Sequence, residues 1–310
     1  MSPVPAVDEA AALLGPLARR GAALGPLTTY RVGGAAALAV TPRDEDDLLA
    51  VAAAVRRTGL PVLVVGRGSN LLVADAGFPG IAVIIGDAFA GIDIEGTLVR
   101  AGGGASLPVV ARRTAAASLT GLEWAVGIPG SVGGAVRMNA GGHGSDVAAV
   151  LERARVVDLA IGQAAWRGTA DLALGYRRSA LRPTDVVVAA ELRGRPGDRA
   201  AAEALVDDIV RWRRVNQPGG QNAGSVFANP PGDAAGRLID QAGLKGFRIG
   251  TAAVSTKHAN FIQADEGGSA DDVYAVLRAV AAAVLARTGT DLHTEVRLIG
   301  FPGTYPHCDA

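Results

Sequence analysis

The chain has 310 residues, 49% of them apolar and 19% charged, with 30 basic side chains against 30 acidic ones. That length predicts about two domains, and the composition excludes bulk disorder and argues against nucleic acid or any other polyanion as the main partner. His143, His258, His293 and His307 stand far apart and the lone Cys308 lies two residues from the C-terminus, so no intrachain disulfide can form, no metal site is expected, and a reducing cytoplasmic setting is.

The first 27 residues read as a short helix and a lead-in that Gly25 and Pro26 end. They lack the basic start and apolar stretch of an export signal. Thr41-Pro42-Arg43-Asp44 offers a capping residue followed by proline at the first helical position, which predicts a helix over 42–57. Short apolar, β-branched runs at 61–65, 81–85 and 97–101 predict strands between glycine-rich turns. A helix near 107–117 and strands at 151–159 and 186–192 follow. The segment RGRPGDR at 193–199 has no apolar periodicity and is the best boundary.

Beyond the boundary, helices are predicted over 200–214, 233–242 and 270–287, the last capped by Ser269. The run 292–299 reads as a strand with Leu292, Thr294, Val296 and Leu298 on one face and His293, Glu295 and Arg297 on the other. Strands and helices interleave without a regular βαβ period, so the fold class is α+β. No apolar run approaches the roughly 18–20 residues that cross a bilayer.

Three segments invite chemistry. In VLVVGRGSNLLV an apolar strand runs into Gly66-Arg67-Gly68-Ser69-Asn70, where small residues let consecutive backbone N–H groups approach an anion such as a diphosphate. It matches neither the P-loop, which needs a lysine, nor GxGxxG, which needs glycine where Leu71 stands. A second glycine-rich run, GIPGSVGGAVRMNAGG, spans 127–142 with Arg137 as its only charge, and the pair suggests one extended ligand: a nucleotide, a flavin or a sugar phosphate. In QNAGSVFANP, Ser225 does not sit in a GxSxG elbow. On residue type alone two readings of it stand, a turn or cap and a proton donor, just as Glu295 reads as a solvated carboxylate or a functional one and Arg177 as an anion ligand or a solvated turn.

Taken in order, TTYRVGG at 28–34, GRGSNLL at 66–72, GIPGSVGGAVRMNAG at 127–141, GYRRS at 175–179, AGSVFANP at 223–230, AGLKGFRIG at 242–250, STKHANFI at 255–262 and HTEVRLIG at 293–300 closely resemble the UDP-N-acetylenolpyruvoylglucosamine reductase (MurB) family. The resemblance covers nearly all of residues 28–300. It implies an FAD-binding module of the vanillyl-alcohol-oxidase type over 1–199, in two subdomains split near 90, then a substrate domain over 200–300 and a tail from 301. It also implies bound FAD, hydride from NADPH, and reduction of UDP-N-acetylglucosamine enolpyruvate to UDP-N-acetylmuramate for peptidoglycan, by a monomer.

Carried over by motif, the catalytic positions are Arg177, Ser225 and Glu295: Ser225 protonates C2, while Arg177 and Glu295 hold the charge that develops beside it. FAD would contact Gly66, Arg67, Gly68, Ser69, Asn70 and Leu71, then Gly127, Ile128, Pro129, Gly130, Ser131, Gly133 and Gly134, with Tyr30, Arg31 and Gly33 nearby. Arg213, Asn229 and His258 are the implied substrate ligands. Asn216 and Ala228 depart from the family, which commonly carries basic residues there. The 48 residues from Arg177 to Ser225 hold no tyrosine-bearing insertion, as in the shorter subclass.

Overall fold

Apolar alternation and helix caps build three successive lobes in a computed structural model that describes residues 3–302. The first contains α1 (Pro3–Leu14), β1 (Ala18–Ala23), β2 (Ala35–Val40), α2 (Glu45–Thr58), β3 (Val62–Val65), β4 (Leu71–Val73) and β5 (Phe78–Ile84). Its sheet runs β1-β2-β5-β3, with β2 and β3 parallel to β5 and β1 antiparallel to β2. Leu48, Val51 and Val55 of α2 pack on Leu38, Val40, Ile81 and Val83. The helix begins later than the sequence predicts. Asp44, not Thr41, is its cap, accepting a hydrogen bond from Asp47 N–H at 2.9 Å, because Arg43 instead folds back onto the Asp47 carboxylate.

The second lobe comprises β6 (Ile92–Glu95), β7 (Leu98–Gly102), α3 (Leu107–Ala116), β8 (Leu119–Thr120), α4 (Val132–Met138), β9 (Gly141–Gly142), β10 (Ser145–Asp146), β11 (Leu151–Asp158), β12 (Gln163–Gly168), α5 (Thr169–Leu172), β13 (Asp185–Arg193), β14 (Arg195–Pro196) and α6 (Arg199–Asn216). Its five-stranded antiparallel sheet runs β12-β11-β13-β7-β6. The first sheet thus ends at Ile84 and the second begins at Ile92, on either side of position 90. Helix α6, which a boundary at 200 assigns to the later unit, buries Ala202, Val206 and Ile209 in the core of this second lobe. Burying the latter two stabilises that docking by about 1.5–3 kcal/mol each.

The third lobe holds α7 (Ala235–Gln241), the antiparallel sheet of β15 (Arg248–Ile249), β16 (Ala252–Val254) and β17 (Ile262–Ala264), α8 (Ala270–Thr288) and β18 (Arg297–Ile299). Ser269 caps α8 as expected, accepting from Asp271 and Asp272 N–H. The strand expected over 292–299 forms a ladder only at 297–299, and Thr294 is exposed, not part of a buried face. That short ladder is parallel and reaches into the first lobe, pairing Arg297 with Leu71 and Ile299 with Val73.

The first and third lobes share a core. Tyr30, Val32, Leu72 and Ala74 pack with Val226, Phe227, Val273 and Val296. Asp75, at the end of the β4 segment, accepts hydrogen bonds from the Ala270 and Asp271 N–H groups that open α8. The tail begins later than position 301, since Phe301 is buried and stacks on Tyr274 at 4.3 Å between ring centroids. Cys308 lies outside the described residues. Among those described, no helix is long and apolar enough to cross a membrane, and no three His, Cys, Asp or Glu side chains group as metal ligands.

Candidate active site

The loop from β3 to β4 is forced into shape by backbone contact. A Cβ on Gly68, whose φ is +59°, would stand 2.0 Å from the Leu27 carbonyl oxygen, so only glycine fits. Among the described residues, none of the N–H groups of Gly66 to Asn70 donates to a protein acceptor. Only Gly68 in this loop is buried, and a run of five N–H groups without a protein acceptor on a cleft wall can cradle an anion.

Opposite it, Gly127 to Gly134 leads into α4. Ser131 caps that helix, its Oγ accepting from Gly134 N–H at 3.2 Å, and a Cβ on Gly66 would come within 2.3 Å of the same oxygen. The two glycine-rich loops therefore touch. They line one cleft of about 910 Å³ together with Arg177, Ser225, Glu295, Arg213 and Asn229, a size suited to a large organic ligand. FAD fits this donor set: N–H groups without a protein acceptor for a diphosphate, and apolar side chains of Val64, Ile85, Ile128 and Leu107 for a ring system.

Arg177 enters from the second lobe on a tight turn, its backbone at φ +56°. Asn139, itself buried, donates to the Gly175 carbonyl at 3.0 Å, and Arg177 Nη2 donates to Gly141 O at 2.9 Å. These bonds aim the guanidinium across the cleft, where Nε lies 2.8 Å from Glu295 Oε1. The N–H is not directed at that oxygen, so the contact is an ion pair with a donor left over. Burial pushes the Glu295 carboxyl above the ordinary carboxylate range, and the attraction of Arg177 only partly opposes this.

Ser225 follows Gly224, whose φ is +77°. Buried Asn260 staples this turn, its Oδ1 accepting from Phe227 N–H at 3.0 Å and its Nδ2 donating to Phe227 O at 2.8 Å. Glu295 N–H donates to Val226 O at 2.9 Å, which sets the serine turn beside the glutamate. Asn70 Nδ2 in turn donates to Glu295 O at 3.0 Å. The anion loop, the glutamate and the serine are thereby one hydrogen-bonded unit. Asn139 and Asn260 escaped the sequence reading as individuals. Each belongs to a quoted motif, but a buried amide facing two backbone groups is visible only in three dimensions.

Arg213, on α6, has no acidic partner among the described residues, and burial depresses its pKa. Asn229 lines the cleft but commits its Oδ1 to the Ala235 N–H. The remaining expected residues lie elsewhere. Tyr30 is fully buried in the shared core, where burial raises its phenol pKa. A Cβ on Gly33 would strike the Val73 carbonyl at 2.3 Å, so its freedom serves packing between loops. Arg31 faces a separate hollow of about 580 Å³ with Thr29, Gln221 and Glu266. His258 is not on the cleft: its Nδ1 accepts from Asn260 N–H at 3.2 Å and its ring packs on Phe261, which makes it a support for the asparagine staple.

The C-terminal domain of UDP-N-acetylenolpyruvoylglucosamine reductase matches residues 215–299, and an FAD binding domain matches 36–166. A reductase of that name from Heliobacterium modesticaldum is 45% identical over 279 residues, covering 89% of this chain and 88% of the relative. Another, designated reductase 2, from Symbiobacterium thermophilum is 41% identical over 290 residues, covering 93% and 94%. The crystal structure of the Thermus caldophilus enzyme superposes with a TM-score of 0.80 at 35% identity, over 91% of this chain and 99% of that one.

Proposed function

This chain belongs to the UDP-N-acetylenolpyruvoylglucosamine reductase (MurB) family, and from that membership we propose that it reduces UDP-N-acetylglucosamine enolpyruvate to UDP-N-acetylmuramate, using NADPH and bound FAD, in peptidoglycan precursor synthesis. The observation that carries the reading is the meeting of Arg177, Ser225 and Glu295, which lie 118 residues apart in sequence at the extremes, on one cleft with the unpaired N–H groups of Gly66 to Asn70. The Gly66–Asn70 loop would hold the FAD diphosphate, and the wall from Gly127 to Gly134 would flank the ring system. When bound, FAD supplies hydride chemistry, accepting a hydride from NADPH and delivering it to the vinyl C3 of the substrate.

The chain's own groups handle the charge and the proton. Hydride addition at C3 builds negative charge at C2 and its carboxylate, where the Arg177 guanidinium stands with a donor to spare. Burial favours the protonated form of Glu295, which suits it to donate a hydrogen bond to that anion. Ser225 transfers its proton to C2, completing the addition of H⁻ and H⁺ across the double bond, and recovers a proton from water at the cleft mouth. Arg213, unpaired and half-buried, would meet the anionic UDP moiety.

The unit boundary is best placed just after α6, because that helix is packed into the second lobe. A monomer working in the cytoplasm without nucleic acid completes the reading, supported by a formal net charge of zero and by the location of NADPH and nucleotide-linked sugars. Anaerobic stopped-flow spectroscopy tests the whole scheme: NADPH should bleach the flavin band and the enolpyruvate substrate should restore it. Protein that purifies without FAD, or whose reduced flavin is indifferent to that substrate, would refute the proposal.

A further inference from the structure

The hollow that Arg31 faces plays no part in the reaction described above. It measures about 580 Å³, a size that admits a small molecule, and its lining shares no residue with the catalytic cleft. The Thr29 hydroxyl and the Gln221 side-chain carbonyl oxygen are shut off from solvent there and have no hydrogen-bond partner within the protein. Buried polar atoms are paired in the large majority of cases, so two orphans on one hollow mark it as built for polar contact. Arg31 and Glu266 are exposed members of the same lining. Among the described residues neither side chain forms an ion pair or hydrogen bond, with the other or with any third group. Arg31 also keeps a backbone uncommon for a non-glycine residue, φ +55°, its N–H donating to Thr28 Oγ1 at 3.1 Å.

The four groups are sorted by chemistry. Thr29 and Arg31, on the segment between β1 and β2, offer a hydroxyl and a guanidinium, which together suit a carboxylate. Gln221 and Glu266 lie on the loops before α7 and after β17, which are tied together where Ala264 N–H donates to Gln221 O at 3.0 Å. They offer a carbonyl oxygen and a carboxylate, acceptors that suit an ammonium group. A lone anion would leave Glu266 and Gln221 unanswered, and a lone cation Arg31 and Thr29. One molecule carrying both charges answers all four. We propose that this hollow binds a small zwitterion, its carboxylate on Arg31 and Thr29 and its ammonium on Glu266 and Gln221, the chemistry shared by free amino acids and short peptides.

Isothermal titration calorimetry of the full chain with glycine, diglycine and triglycine is the test, since these probes share both charges and differ in the distance between them. At least one should bind saturably with a Kd of about 1 mM or tighter. Tightest binding by glycine identifies a free amino acid as the source, and by a longer probe a peptide. Capping the preferred probe at either end, by N-acetylation or C-terminal amidation, should weaken binding at least tenfold, and so should Arg31→Met and Glu266→Gln. The capped probes are titrated into the unaltered chain, so the outcome does not depend on whether a variant folds. The assignment is overturned if no probe binds, if capped probes bind as well as the parent, or if Glu266→Gln binds like wild type. It is also overturned if Arg213→Met weakens binding and Arg31→Met does not, because the probe would then occupy the catalytic cleft.

Discussion

The contact between the two glycine-rich loops gives the sharpest prediction. In Gly66→Ala the new methyl carbon would lie 2.3 Å from Ser131 Oγ and 3.3 Å from Ser131 Cβ, with no positive φ to add strain at Gly66 itself. Ser131 is 3% exposed and cannot swing into solvent. Displacing its hydroxyl removes the cap from α4, a loss of about 1 kcal/mol, and forcing the methyl into a packed seam adds about 1–3 kcal/mol. Gly66→Ala should therefore lower unfolding free energy by about 2–4 kcal/mol in urea titrations, and the protein should lose FAD on gel filtration. Glycine at a cap position costs only a few tenths of a kcal/mol relative to serine. The double variant Gly66→Ala/Ser131→Gly should thus recover to within about 1 kcal/mol of wild type, a coupling far beyond additivity. Gly142→Ala, with nothing within 4 Å of its added carbon, is the neutral control. If the two substitutions simply add, or Gly66→Ala is as harmless as the control, the loops do not meet as described.

Ser225→Ala should leave NADPH reduction of the flavin within a few-fold of wild type while slowing its reoxidation by substrate by about 10²–10⁴-fold; equal loss in both half-reactions with FAD retained would contradict the proton-donor role. The raised Glu295 pKa keeps its neutral form present above the usual carboxylate range, so the rate of product formation should fall as pH rises through that displaced value. Glu295→Gln should abolish that limb, and a limb unchanged in the variant would assign it to another group. Asp47, held down to about 2 from 3.8 by the Arg43 side chain, contributes stability that is fully present above pH 3.8 and is lost as pH falls toward 2. The upper bound is about 2 kcal/mol, reduced to about 1 kcal/mol because Arg43 is exposed to solvent. Asp47→Asn should therefore be less stable than wild type by about that amount at pH 7 and converge with it near pH 2, as followed by chemical denaturation at each pH.

Elements that announce themselves locally were legible. Helix α8 carries Ser269 at its cap and two aspartates in its first turn, and β13 contains the apolar, β-branched run Val186–Ala190. Strand β1 was not, because Ala18–Ala23 is an edge strand of sequence ARRGAA with no buried side chain, placed by its long-range ladder to β2. The end of the chain misled for the opposite reason. Its alternation is genuine, yet residues 292–296 trade a regular ladder for single bonds to the Ser225 turn and to Asn70. For the site, motif order pointed to Arg177, Ser225 and Glu295, but nothing local in the sequence reveals that Asn139 and Asn260 aim the first two, or that His258 supports Asn260. TTYRVGG was read for its cofactor, whereas the structure shows it wedged between lobes, its buried tyrosine in their shared core and its glycine at φ +111° against β4.

The parallel ladder between β4 and β18 decides which way this enzyme can breathe. Arg297 on β18, and Glu295 just before it, are riveted to the Gly66–Asn70 loop and β4, and Asp75 fastens the start of α8 to the same body. Arg177 belongs to the opposing jaw, tied by Asn139 to the lobe of the five-stranded sheet. Any parting of the second lobe from that body would separate Arg177 from Glu295 while the glutamate stays with Asn70 and its loop. Losing that arginine's attraction would raise the Glu295 proton affinity while water admitted to the carboxyl would lower it, so the two influences that set this group in the closed arrangement would both weaken in one movement.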